Sequence, residues 1–306
     1  LERSTTETLI PPFRKGRIVS IIGTGLIGGS MALALKDKGI ADIVIGVDAD
    51  ASHQQKALDL GLADIILSLE EAVTKSDIVI LATPINAAQD LLPFILDKAT
   101  RQIIFDVGST KHQLCEAVAG HPHRGRFVAT HPMWGTEFSG PEAAVRGAFA
   151  EKAAVLCNIE ESDADTVAAV EYIYKSLGMH LVYMQAEAHD VHVAYVSHIS
   201  HITSFALANT VLEKEREEEA IFELASGGFE STVRLAKSNP AMWVPIFMQN
   251  RENVLDVLNE HIAQLRKFKT CLEKENFTYL QELIENANKI NKVLHPGQNE
   301  MAKAGE

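Results

Sequence analysis

An N-terminal doubly wound α/β domain followed by an all-helical domain is the fold that this 306-residue sequence predicts. Three observations predict it. Short β-branched runs alternate with helical stretches from Arg17 onward. A glycine-rich turn, Gly23-Thr24-Gly25-Leu26-Ile27-Gly28, joins the first run to the first helix. After about Tyr183 the strand signal stops and helical periodicity alone continues. Continuous apolar strands alternating with helices argue for a parallel sheet covered on both faces.

In chain order, Arg17–Ile22 reads as a strand and Leu26–Lys38 as a helix ending at Gly39. Ile43–Val47 is the next strand and Ser52–Leu60 the next helix, closed by Gly61. Strands are expected at Ile65–Leu67, Ile78–Ala82 and Ile103–Val107, with helices around Leu69–Thr74, Ala87–Asp97 and Lys111–Ala119. Phe127–Thr130 and Ala153–Asn158 continue the strands. Beyond them, Val191–Leu212, Glu217–Ser226, Ser231–Ser238, Pro245–Cys271 and Phe277–Val293 read as helices. The charged run Glu213 to Glu219 reads as a solvated helix end or connector. The division expected is an arm over 1–15, a dinucleotide-binding domain over 16–185, a helical domain over 186–295 and a tail over 296–306.

Bulk properties narrow the function. Hydrophobic residues make up 46% and charged residues 23%, the balance of a soluble globular protein. A net charge of −13 and a pI near 5.4 argue against nucleic acid or an anionic membrane as the main partner. The most apolar long stretch, Val191–Leu212, carries His192, His198 and His201, so a buried helix is expected there rather than a membrane span. Cys115, Cys157 and Cys271 are widely spaced and odd in number, which fits free thiols in a reducing cytoplasm. They offer neither a disulfide framework nor a metal site. Neither an appended regulatory domain nor an upstream fused domain is expected within the sequence.

The glycine-rich turn has the strand–turn–helix setting of a Rossmann-type nucleotide site. Gly23 permits the tight turn, Gly25 lets backbone approach a pyrophosphate, and Gly28 allows close helix–strand packing. The start of the helix, at Leu26 and Ile27, would face the phosphates. Asp48, closing the second strand, is the acid expected about 20 residues on to hold a ribose hydroxyl. A carboxylate there repels a 2′-phosphate and favours NAD over NADP; Asp50 is the alternative acid. Thr83 and Pro84, after the fourth strand, would border the same cofactor.

A reacting end is expected where the fifth and sixth strands finish. His131 follows the apolar run Phe127-Val128-Ala129, in a segment His131-Pro132-Met133-Trp134-Gly135-Thr136-Glu137 broken by proline and glycine. Histidine exchanges a proton near neutral pH. Ser109, in Asp106-Val107-Gly108-Ser109-Thr110-Lys111, ends the neighbouring strand and could reach it. Serine and threonine before a helix equally make an N-cap, and spacing favours that role for Thr110. In Ser197-His198-x-x-His201 two histidines share a helix face, as core side chains or a metal pair; no third ligand at zinc spacing accompanies them, and no metal is expected. Arg234 follows Gly227-Gly228-Phe229, either on the surface or forking onto a carboxylate.

Together these blocks, with His189-Asp190 and Asn239-Pro240-x-Met242-Trp243, resemble prephenate dehydrogenases, in order from about Gly16 to Asn253. The resemblance implies NAD⁺-dependent oxidative decarboxylation of prephenate to 4-hydroxyphenylpyruvate in tyrosine synthesis. It also implies a homodimer formed through the helical domain, which would then be a dimerisation domain. His131 would accept from the substrate ring hydroxyl, and Ser109 would orient that histidine beside the nicotinamide. His201, Ser197, His198 and Arg234 match substrate-binding positions, Arg234 on a carboxylate, while Glu137 and Trp243 match the pocket rim. Ser231 stands where relatives commonly carry an acid, and Trp134 where they carry a small residue. Three rival readings compete: the same chemistry on arogenate, another two-domain NAD-linked hydroxyacid dehydrogenase, and a silent NAD-binding protein.

Overall fold

The computed structural model describes residues 16–216 and 220–294. Eight strands form one sheet: β1 (Ile18–Ile22), β2 (Ile43–Val47), β3 (Ile65–Ile66), β4 (Ile78–Leu81), β5 (Ile103–Asp106), β6 (Phe127–Pro132), β7 (Ala153–Cys157) and β8 (His180–Met184). Between them lie α1 (Leu26–Asp37), α2 (Ala51–Asp59), α3 (Leu69–Lys75), α4 (Ile85–Lys98), α5 (His112–Glu116) and α6 (Ala164–Ser176). Helices follow: α7 (Ala186–Val193), α8 (Ile199–Glu215), α9 (Gly227–Val233), α10 (Pro240–Gln249), α11 (Arg251–Glu273), α12 (Phe277–Asn288) and α13 (Ile290–Leu294). By compactness the chain divides after Asn253, and every site residue discussed below lies before that point.

The strand order is β3-β2-β1-β4-β5-β6-β7-β8, parallel except for the β6–β7 pair. Neighbouring strand residues point to opposite faces, and the core shows it. Val19, Ile78, Ile80, Phe105 and Val128 pack on one side with Met31, Leu35 and Tyr174. Ile22, Val79, Leu81, Ile104 and Phe127 pack on the other with Leu92, Ile95 and Leu114. Burial on both faces is why these strands read as continuous apolar runs rather than alternating ones. The order reverses between β1 and β4, which opens a crevice at their carboxyl ends where such sheets take ligands.

Several expected boundaries move. β6 runs two residues past Thr130, because Thr130, His131 and Pro132 pair with Leu156, Val155 and Ala154 of β7. His131 therefore sits inside a strand and not after it. β7 is antiparallel because the loop from Met133 to Lys152 returns at the same end of the sheet without a crossover helix. β8, a partly exposed edge strand, adds to the strands expected from sequence.

Gly227 and Gly228, between two of the expected helices, themselves open α9. The helix expected from Ser231 to Ser238 divides into the end of α9 and a 3₁₀ turn over Arg234–Lys237. The long helix expected from Pro245 breaks at Asn250. Of the helix expected over Glu217–Ser226, residues 217–219 lie outside the described residues, and the remainder holds a 3₁₀ turn, Phe222–Leu224. The arm over 1–15 and the tail over 296–306 also lie outside them.

Candidate active site

The nucleotide end is built by backbone. Gly23 turns out of β1 at φ +97°, and a Cβ there would lie 2.6 Å from the Ala82 carbonyl oxygen at the end of β4. A Cβ on Gly28 would lie 2.0 Å from the Gly23 carbonyl oxygen, so the helix can close on the turn only with glycine there. Gly25 is the N-cap of α1, makes no side-chain cap, and has open space where a Cβ would stand. The first amides of α1 are thus free for an anion. Asp48 fastens the turn: its Oδ2 accepts from Thr24 N and Oγ1, both at 2.9 Å, and its Oδ1 from Asp50 N at 3.1 Å. Asp50 caps α2 through Ser52 N and His53 N. The Thr83 hydroxyl is buried with no hydrogen-bond partner among the described residues. An open helix terminus, a bare glycine and an orphaned hydroxyl fit a dinucleotide.

A cavity of about 530 Å³ runs from this turn to the helices after β8. Gly25, Leu26, Ile27, Thr83 and Pro84 line one end; Ser109, His131, Glu137, Ser197, His198, His201, Arg234 and Trp243 line the rest. Of the residues singled out from sequence, Gly23, Gly28 and Asp48 stand behind the wall and shape it.

His131 is held by its neighbours in an unforeseen way. Its Nδ1 lies 2.9 Å from Nε2 of His189, whose Nδ1 lies 2.8 Å from Oδ1 of Asp190. Asp190 also accepts from Lys111 N at 2.8 Å and His112 N at 3.0 Å, so it caps the start of α5. Thr110, expected to be that cap, instead donates to Gln249 Oε1 at 2.9 Å. Ser109 shares the cavity with His131, but among the described residues no hydrogen bond joins it to the ring, which meets His189 instead. Behind them Lys111, fully buried, pairs with Asp106 and donates to the Thr130 carbonyl at 2.8 Å. Sequence alone assigns no role to Lys111, His189 or Asp190. The adjacent His-Asp pair is the visible signal, in the middle of α7, and Lys111 looks like any surface lysine until the fold buries it.

Electrostatics keep the histidines neutral. Burial, then His189, Lys111 and His198, holds His131 well below its ordinary pKa. His189 is lowered by burial against the opposing pull of Asp190. His198 is pushed down to about 4 by burial, and its Nδ1 meets the Asn250 amide at 3.2 Å. His201 is lowered by burial; its Nδ1 lies 3.0 Å from the Ser197 carbonyl, and its ring stacks on Trp243 with centroids 3.5 Å apart. The Trp243 Nε1 is buried without a hydrogen-bond partner among the described residues.

Arg234 donates to Glu137 Oε2 at 3.2 Å across the cavity mouth. A π-helical turn, Ala194–His198, sets Ser197 and His198 against the wall. Trp134 meets Phe149 edge-on at 5.6 Å, anchoring its loop in the core. Ser231 donates to the Gly228 carbonyl within its own helix. Among the described residues no cluster of His, Cys, Asp or Glu could hold a metal, and no helix is long and apolar enough to cross a membrane.

Comparison with known proteins places this geometry. Residues 31–183 match the family model for the prephenate dehydrogenase nucleotide-binding domain, and residues 185–286 that for the prephenate dehydrogenase dimerization domain. The chain is 33% identical to a prephenate dehydrogenase of Bacillus subtilis over 84% of its own length and 71% of that protein. It is 28% identical to a cyclohexadienyl dehydrogenase of Zymomonas mobilis, covering 90% and 95% of the two chains. A solved Aquifex aeolicus prephenate dehydrogenase, in complex with hydroxyphenyl propionate and NAD⁺, superposes with a TM-score of 0.84 at 28% identity, over 91% and 98% of the chains. By sequence and by fold, the chain belongs to the prephenate dehydrogenase family.

Proposed function

We propose that the protein is an NAD-dependent prephenate dehydrogenase, converting prephenate to 4-hydroxyphenylpyruvate and carbon dioxide. One observation carries the reading: a neutral histidine and an arginine share a single cavity with an uncapped helix N-terminus. When bound at that terminus, NAD⁺ supplies a hydride acceptor. The residues of this chain do the rest. His131 takes the ring hydroxyl proton as hydride leaves the hydroxyl-bearing carbon. The bond to the ring carboxylate then breaks, its electron pair enters the ring, and His131 returns the proton to the ring oxygen. No net proton is released, and aromatisation drives the step. Arg234 holds a substrate carboxylate with donors beyond the one given to Glu137. Ser109, Ser197, His198, His201 and Trp243 shape the wall that orients the ring.

Arogenate carries an ammonium in place of the keto group. The acidic side chain lining the cavity is Glu137, and the Arg234 guanidinium beside it offsets its charge, so the cavity offers an ammonium little net negative charge. That favours prephenate. The carboxylate of Asp48 beside the turn favours NAD⁺ over NADP⁺. Residues 186–295 serve as a helical dimerisation domain in this reading. Exposed Leu265, Leu272 and Phe277 suit burial between two copies.

Following NADH formation with prephenate and arogenate side by side, using NAD⁺ and then NADP⁺, tests the assignment. Turnover is expected with prephenate and NAD⁺. Faster turnover of arogenate would reassign the substrate, and none with either would remove the activity.

A further inference from the structure

We propose that His189 and Asp190 are positioning residues that fix one tautomer of His131, with its Nε2 lone pair facing the substrate. The proposal rests on the proton-accepting role given to His131 above and adds how that role is set.

The argument begins at the carboxylate. Asp190 has no proton to give: it accepts from the backbone amides of Lys111 and His112, which fix it at the start of α5. His189 Nδ1, 2.8 Å from Oδ1, must therefore carry the hydrogen of that bond. A neutral His189 then has its lone pair on Nε2. Nε2 lies 2.9 Å from His131 Nδ1, so His131 must donate from Nδ1. Only Nε2 of His131 is left bare, and that is the nitrogen available to a ring hydroxyl. The opposite tautomer of His131 would set two lone pairs against each other at 2.9 Å in a buried place.

The same chain carries charge. When the substrate proton arrives on Nε2, His131 becomes a cation beside Lys111, whose ammonium is locked on Asp106. His198 and His201 are held neutral, and Arg234 is paired with Glu137. The Asp190 carboxylate, acting through His189, is the anion placed to offset that charge. On return of the proton to the ring oxygen, His131 is neutral again with its Nδ1 hydrogen unmoved.

Two substitutions and one spectrum test this. His189→Gln keeps an oxygen able to accept from His131 Nδ1, whereas His189→Leu offers nothing. In the full chain, NMR of isotope-labelled histidine nitrogens, assigned with His131→Asn, is expected to show His131 protonated at Nδ1 in wild type and in His189→Gln. In His189→Leu the proton is expected to redistribute toward Nε2. Turnover in His189→Leu is expected to fall about 100-fold with KM nearly unchanged, and His189→Gln to recover about a tenth or more of the wild-type rate. An Nε2-protonated His131 in the wild type would overturn the proposal, as would wild-type turnover in His189→Leu. Should wild type turn over neither substrate, the functional reading fails while the spectrum still decides the tautomer.

Discussion

The two ends of the cavity are made of different material. At the nucleotide end the working parts are backbone: a positive φ at Gly23, a close approach at Gly28, and free amides opening α1. At the other end they are side chains gathered from β6, α7, α8 and α10, held by hydrogen bonds between residues up to dozens of positions apart. Backbone devices demand particular residues at fixed spacing. Side-chain devices demand only that the fold bring partners together.

Substitutions can break that contrast. His131→Asn is expected to leave NAD⁺ binding intact by fluorescence titration and to cut turnover about 100- to 10,000-fold. Turnover near wild type would remove His131 from the chemistry. Because burial holds His131 below its ordinary value, the wild-type kcat/KM should stay level as pH drops through 6.5 and fall only further down. A fall centred near 6.5 would contradict that placement.

Acid should strike the side-chain end first. His131, His189, His198 and His201 all bind protons less readily folded than unfolded. Their stabilisation is complete above about 6.5 and is lost as pH falls toward their folded values. For His198, lowered to about 4, the loss is about 3 kcal/mol. Denaturant titrations across that range should show the decline, with a shallower slope in His198→Gln. Equal slopes would mean His198 titrates normally.

Arg234→Gln is expected to raise KM for prephenate by one to two decades, about 1.5–3 kcal/mol, with a smaller change in kcat. An unchanged KM would put the substrate carboxylate elsewhere. The smallest pair sharpens the backbone end. Gly28→Ala should cost about 1–3 kcal/mol of stability through its clash with the Gly23 carbonyl. Gly25→Ala, facing open space, should leave the melting temperature alone and weaken NAD⁺ about tenfold. Lost stability in Gly25→Ala would show that this glycine serves the fold and not the ligand.

What could be read from sequence follows the same divide. The turn, Asp48 and the buried strands were visible because each obeys a local rule. The role of His131 came from resemblance, since nothing local distinguishes it from a loop histidine. The tie from His131 to His189 was invisible because it joins β6 to α7 across 58 positions. Thr110 looked like a cap, and only the folded chain shows Asp190 occupying that place. Sequence alone ends β6 at Thr130, because its last residues are ordered by an antiparallel neighbour that no periodicity announces.

The loop between β6 and β7 carries a final consequence. It bears Glu137, yet it is strapped to the nucleotide side: Val145 N donates to Ser30 Oγ at 2.9 Å, Arg146 pairs with Asp37, and Glu142 with Lys56. One short segment is thus a wall for one ligand and a brace for the helices that greet the other. Its sequence answers to two selections at once. Evolving a new substrate preference at Glu137 means doing so on a strap that cannot drift freely, so the compensating changes belong on α1 and α2 as well as in the pocket.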